Sequence, residues 1–215
     1  MSAKDVLDIL CEAGLFAYFV ERPYAVTANP DASPKAIFVS AFDSMPLAQN
    51  FEFVLKGQEA GFQKGLDALS KIAKTYLGVS AQQQAKALTE ARNVEVNVFD
   101  GPNPAGNVGV QINHVSPINK GEIVWTVGAE EVIFIGRLFC NGKVDFTHTV
   151  AVGGSEVKHP AYTKLAVGAQ LTNVFQGNVS EGKSLRFING NVLTGSVVAR
   201  DGFLAAHATT LTVIP

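Results

Sequence analysis

The segment with the clearest chemical meaning is Gly177-Asn178-Val179-Ser180-Glu181-Gly182-Lys183-Ser184. It satisfies the phosphate-loop pattern: two glycines separated by four residues, then Lys and Ser. Such a loop turns backbone amides onto phosphates at the start of a long helix, whose positive end holds the charge. Here Leu185-Arg186-Phe187-Ile188-Asn189-Gly190 follows, alternating apolar and polar before a glycine, which is a strand pattern. Glu181 also brings negative charge into the anion cradle. A turn between strands is therefore expected, with no ATP bound and no nucleotide role for Lys183. Asn178-Val179-Ser180 spells a glycosylation sequon that no secretory signal supports.

Other chemistries leave fainter marks. No Gly-x-Gly-x-x-Gly follows the apolar run at 36–42, so a dinucleotide fingerprint is missing. His114, His148, His159 and His207 are scattered without metal-ligand spacing and read as surface or structural histidines. Cys11 and Cys140 lie far apart and are expected to be buried reduced thiols. No catalytic set and no metal set can be named. One place could hold a ligand on topological grounds, because pockets in open parallel sheets form beyond the carboxyl ends of the strands. The first apolar strand ends at Phe42-Asp43-Ser44-Met45-Pro46, where aromatic, acidic and flexible apolar groups meet. Asp43 could equally bond local backbone amides at a plain strand exit.

These residues need elements to position them. Val6, Leu7, Leu10 and Ala13 predict a short amphipathic helix that Gly14 can end. Residues 35–42 read as a buried strand, and 51–75 as one long helix with Phe62, Leu66, Leu69 and Ile72 on one face. Gly57, Gly61 and Gly65 recur every four residues and predict close packing of that helix on a sheet. A strand at 76–79, a helix at 82–91, a strand at 94–99 and a helix at 129–139 capped by Asn141-Gly142 complete an α/β pattern with parallel crossovers. From Lys143 short β-prone runs at 146–152, 162–165, 185–188 and 211–214 surround a helical turn at 169–175. That texture predicts a small α+β module of β-grasp type. The expected domains are 1–142 and 143–215.

Composition narrows the function classes. The chain is 47% apolar, enough for a real core. A net charge of −2 with no basic stripe gives no support to nucleic-acid binding. Charged residues make up 17%, against about 25% in a typical domain, which suggests surface meant to be covered by other subunits. No run of about 18 apolar residues could span a bilayer. Met1-Ser2-Ala3-Lys4-Asp5 lacks a signal core, so a cytosolic location is expected. The abrupt helical start suggests a piece of a longer protein.

Several stretches resemble a known family. They are Gly14-Leu15 through Arg22-Pro23-Tyr24, Ile37 through Ala48, Asp100-Gly101-Pro102-Asn103-Pro104-Ala105-Gly106, Val132 through Phe139, and Gly190-Asn191-Val192-Leu193-Thr194-Gly195. In order and extent they are similar to the A subunit of the bacterial sodium-translocating NADH:quinone oxidoreductase (Na+-NQR). The C subunit of the Rnf complex and the flavin-carrying subunit of complex I look like more distant cousins.

The resemblance implies a Rossmann-like three-layer domain, similar to the flavin-binding domain of the complex I subunit, followed by a β-grasp domain of SLBB type. It also implies a peripheral subunit on the cytoplasmic side of the bacterial inner membrane, docked on membrane-embedded partners. NADH and quinone would act on the whole complex. The flavin-carrying cousins place a Gly- and Arg-rich run after the first helix to wrap the flavin phosphate. Here the stretch reads Ala13-Gly14-Leu15-Phe16-Ala17-Tyr18-Phe19-Val20-Glu21-Arg22, with one glycine and only Arg22 to face a phosphate. Rings and Cβ atoms keep a backbone from closing on an anion. The expectation is a scaffold without a cofactor of its own, in which Arg22, Tyr24, Phe42, Asp43 and Met45 could line a quinone or ligand cleft. A stand-alone β-grasp ligand-binding module and an Rnf-like flavoprotein are the alternative readings.

Overall fold

A computed structural model describes residues 1–182 and 184–215, so Lys183 of the phosphate-loop pattern lies outside the described residues. The chain divides into two units, Met1–Ser44 with Phe51–Asp145, and Met45–Asn50 with Phe146–Pro215.

In the first unit, helix α1 (Ala3–Glu12) starts at Ser2, whose hydroxyl accepts from the Asp5 amide at 3.2 Å while its own amide donates to the Asp5 carboxylate. Gly14, at φ 72°, turns the chain into a 3-10 turn at Leu15–Tyr18. Then follow β1 (Val20–Arg22), β2 (Val26–Thr27), β3 (Ile37–Ser40), α2 (Phe51–Leu55), α3 (Glu59–Ile72), β4 (Thr75–Ser80) and α4 (Lys86–Thr89). β5 (Glu95–Phe99), α5 (Val108–Val115), β6 (Val124–Gly128) and α6 (Ala129–Asn141) complete the unit. The sheet order is β2-β1-β6-β3-β4-β5. β6, β3, β4 and β5 run parallel, and β1 lies antiparallel to both β6 and β2. The sheet is therefore mixed, around the parallel core that the alternating elements predict. Winding reverses between β3 and β6, which places a topological switch point there.

Phe38 packs with Tyr76, Val124 and Ile112 of α5 on one face of the sheet. Strand alternation turns Ile37 and Val39 to the other face, and α3 and α6 approach β4 and β6. The predicted helix over 51–75 is in fact two helices. Gly57 sits between them at φ 76°, a left-handed conformation that ends α2. Its surroundings are open, so the whole cost of a side chain there is conformational. Gly57→Ala is expected to lower stability by about 1–2 kcal/mol, readable as a lowered urea midpoint at unchanged slope.

The glycine stripe packs on a helix and not on the sheet. A Cβ on Gly65 would strike the Val132 carbonyl of α6, and one on Gly136 would strike the Gly61 carbonyl. The small residues therefore let two helix backbones touch. The two cysteines also differ from expectation, since both are exposed thiols. α1 buries Val6 and Leu10, and Cys11 is turned about 100° off that stripe; Cys140 lies beyond the last buried residue of α6, Gly136. The helix expected at 82–91 is the single turn α4. α5 and β6 fall where the periodicity predicts no element, and they supply a covering helix and a central strand.

The second unit holds β7 (Thr147–Gly153), β8 (Ala161–Ala166), α7 (Thr172–Phe175), β9 (Arg186–Asn189), β10 (Ser196–Val198) and β11 (Thr210–Ile214). Their order is β10-β9-β11-β7-β8, with β7 and β11 parallel and the other pairs antiparallel. Val150, Val152, Phe175, Phe187, Leu211 and Val213 are core residues of this unit. Gly177 and Gly182 take left-handed turns at φ 71° and 75°, and β9 begins two residues after Ser184. The phosphate-loop string thus leads into a strand, as its alternation predicts. The sequon asparagine, Asn178, bonds both backbone groups of His159.

Candidate functional site

The carboxyl ends of the parallel strands are where this topology could hold a ligand. The β3 exit is fastened by three neighbouring segments. Gln111, 1% exposed on α5, donates to the Ser40 hydroxyl at 2.9 Å, and that hydroxyl donates to the Phe42 carbonyl at 2.8 Å. Gln83 donates to the Ala41 carbonyl at 2.8 Å. The Gly106 amide donates to the Ser44 hydroxyl at 2.9 Å. Gly106 lies so close to the Ser44 amide and the Phe42 carbonyl that no side chain fits there. Gly78 is similarly covered by the Gln111 amide group. The DGPNPAG stretch therefore folds back onto the β3 exit.

The 3-10 turn after α1 is core wall. Phe16 and Phe19 stack at 4.8 Å between centroids and 11° between planes. Both meet Trp125 of β6 edge-on, at 5.3 and 5.9 Å, and Tyr18 meets Phe134 of α6 at 6.1 Å. Leu15, Phe19 and Trp125 are completely buried. Each such aromatic pair contributes about 0.5–1.5 kcal/mol beyond simple burial. Among the described residues the indole N–H of Trp125 meets no acceptor, and packing against the rings holds it in place.

Electrostatics point the same way. Glu130 and Glu131, 3% and 6% exposed, occupy the first turn of α6. The Glu131 carboxylate lies against Gly128, in the space a Cβ would take. A helix N-terminus stabilises negative charge, and here the protein's own carboxylates supply it. An incoming phosphate would meet two acids and a wall of rings. These residues do not fit a flavin phosphate. Burial, and after it the Glu131 charge, push the Tyr18 phenol above its ordinary range.

A phenol whose pKa is raised by folding contributes stability that is complete below its ordinary value near 10 and lost as pH climbs through the folded value. Tyr18→Phe is therefore expected to flatten the alkaline decline in unfolding free energy above about pH 10. A decline as steep as in the parent would contradict this.

The register separates the predicted cleft residues. Arg22 pairs with Val124 at the amino end of β6, while Ser40 is level with Gly128 at its carboxyl end. Four residues at about 3.3 Å each put roughly 13 Å between those levels, and Phe42 lies farther on. Arg22 and Tyr24 thus stand at one end of the sheet, and Phe42 and Asp43 at the other. Met45 belongs to the second unit. The five residues do not converge within the first unit. β1 is antiparallel to its neighbour, and sequence order alone hides that direction. Glu130 and Glu131 escape a reading of periodicity that passes over β6. The run Ile123-Val124-Trp125-Thr126-Val127, then Gly128 and acids in a first turn, is the strand-to-helix signature that could have found them. Among the described residues no group of three or more His, Cys, Asp or Glu could hold a metal ion.

Residues 1–144 match the family model described as "NqrA second alpha/beta domain", and residues 149–200 match that of the "NQRA C-terminal domain". The chain is 35% identical over 198 residues to the A subunit of the Na(+)-translocating NADH-quinone reductase of Neisseria meningitidis serogroup C, covering 92% of this chain and 44% of that protein. It is 33% identical over 217 residues to the corresponding protein of Yersinia pseudotuberculosis serotype O:1b, covering 100% and 48%. The chain thus spans about half the length of the curated relatives it matches. Among solved structures it is similar in fold to a chain of an NAD+-reducing [NiFe]-hydrogenase in the H2-reduced state, with a TM-score of 0.63, 14% identity, and coverage of 99% of this chain and 47% of that one.

Proposed function

Since this chain belongs to the NqrA family, the A subunits of Na(+)-translocating NADH-quinone reductases, we propose that it serves as scaffold and docking core in a complex that couples NADH oxidation and quinone reduction to sodium transport. Its first unit is a Rossmann-like domain and its second an SLBB-type β-grasp domain. The doubly wound order around the β3/β6 switch point and the central parallel β7/β11 pair support these two readings. The chain works peripherally, on the cytoplasmic face, against membrane-embedded subunits. No helix among the described residues is long and apolar enough to cross a membrane.

One observation carries the redox-free reading: Phe16, Phe19 and Trp125 fill the place where a flavin carrier needs open backbone, beside two buried carboxylates. Electrons pass through groups held elsewhere in the complex. Any quinone contact by the first unit falls to the half-buried Phe42 ring and the exposed Asp43 carboxylate at the β3 exit.

The full-length protein, separated from its complex, is expected to show no flavin absorbance, with all flavin staying on the remaining subunits. One equivalent of flavin travelling with it would reverse the assignment and favour the Rnf-like flavoprotein.

A further inference from the structure

We infer, resting on the family-based reading above, that the hairpin of β1 and β2 docks an extended, carboxylate-bearing segment of another subunit, with Arg22 as its anchor. Among the described residues the buried Arg22 Nε has no hydrogen-bond partner, and none of their ion pairs involves Arg22. A buried donor left unmet is costly. The flat guanidinium fork matches a carboxylate in two parallel bonds, which a point charge cannot do.

The surroundings suit a polypeptide. β2 is the outermost strand of its sheet, and both of its residues are exposed. Its outer backbone groups are open to a further strand. Tyr24, in the turn beside Arg22, is 75% exposed, and Val26 is 52% exposed. Arginine and tyrosine with an apolar neighbour are the residue types that anchor interfaces. A lipid headgroup fits less well, since anionic membranes are gripped by clusters of about four to eight basic residues. This chain has a net charge of −2, and this hairpin offers one cation.

The test uses the full-length protein in the assembled complex. With Arg22→Lys, a water-soluble carbodiimide is expected to join position 22 to an Asp or Glu of a different subunit, identified by mass spectrometry. Arg22→Glu is expected to reduce retention of the protein on the complex at least about tenfold, and Tyr24→Ala, at an exposed site that folding does not need, several-fold. Circular dichroism melting should match the parent for both variants.

Three results would overturn the inference: links only to carboxylates of the same polypeptide, parental retention of both variants, or Arg22-dependent flotation on phosphatidylglycerol vesicles. If the parental protein itself fails to join the complex, the family-based reading falls and takes this inference with it.

Discussion

Gly136→Val is expected to destabilise the first unit by about 3 kcal/mol, against a total stability of about 5–15 kcal/mol for an ordinary domain. Helix propensity alone predicts the opposite sign, because glycine inside a helix costs about 1 kcal/mol relative to alanine. The close approach decides. A Cβ at position 136 would overlap the Gly61 carbonyl oxygen, and that oxygen belongs to the α3 backbone, which cannot step aside as a flexible side chain could. The internal control is Gly61→Ala. A Cβ there meets nothing within 4 Å, so this change should add up to about 1 kcal/mol. Urea midpoints moving in opposite directions confirm the α3–α6 contact; midpoints rising together would refute it.

Phe19→Ala carries the second large expectation, a loss of about 3–5 kcal/mol. Phe19 is fully buried, stacked on Phe16 and edge-on to Trp125, so truncation removes apolar surface and leaves a cavity lined by rings. Trp125 is the single tryptophan of the chain. Its emission should sit at the blue, apolar limit in the parent and shift to the red as water reaches the truncated site. A loss below about 1 kcal/mol, the range of ordinary surface changes, would mean that the turn at Leu15–Tyr18 is a detachable flap.

Much of the first unit is legible in the sequence because period and composition agree. The buried runs at 37–40 and 75–80 are strands with β-branched or aromatic cores, and the Phe62-Leu66-Leu69 spacing is an apolar helical stripe. What stays hidden depends on tertiary geometry. Gly57 breaks the long helix through a backbone conformation that no hydropathy pattern records. Gly65 meets Val132 and Gly136 meets Gly61 across two helices with 56 residues of sequence between them, 73–128, so their purpose exists only in the folded pair. The strand pattern after Ser184 outweighs the phosphate-loop string, because a short strand cannot supply the helix end that holds phosphate.

At the candidate site, the bulky Leu15-Phe16-Ala17-Tyr18-Phe19 segment announces a wall in the sequence itself. The partners of that wall, Trp125, Glu130 and Glu131, stay hidden along with β6. The family resemblance groups Arg22 and Tyr24 with Phe42 and Asp43, and the antiparallel course of β1 carries the two pairs to opposite ends of the sheet.

The central claim is that the turn after α1 is a packed wall where a flavin carrier has a phosphate cradle. Adding FMN stepwise while following Trp125 emission tests it directly, since a flavin lodged against Phe16 and Phe19 would sit within quenching range of that indole. With the wall closed, emission is expected never to saturate and to decline only as the flavin absorbs light. A quench that saturates at one equivalent of FMN would contradict the claim.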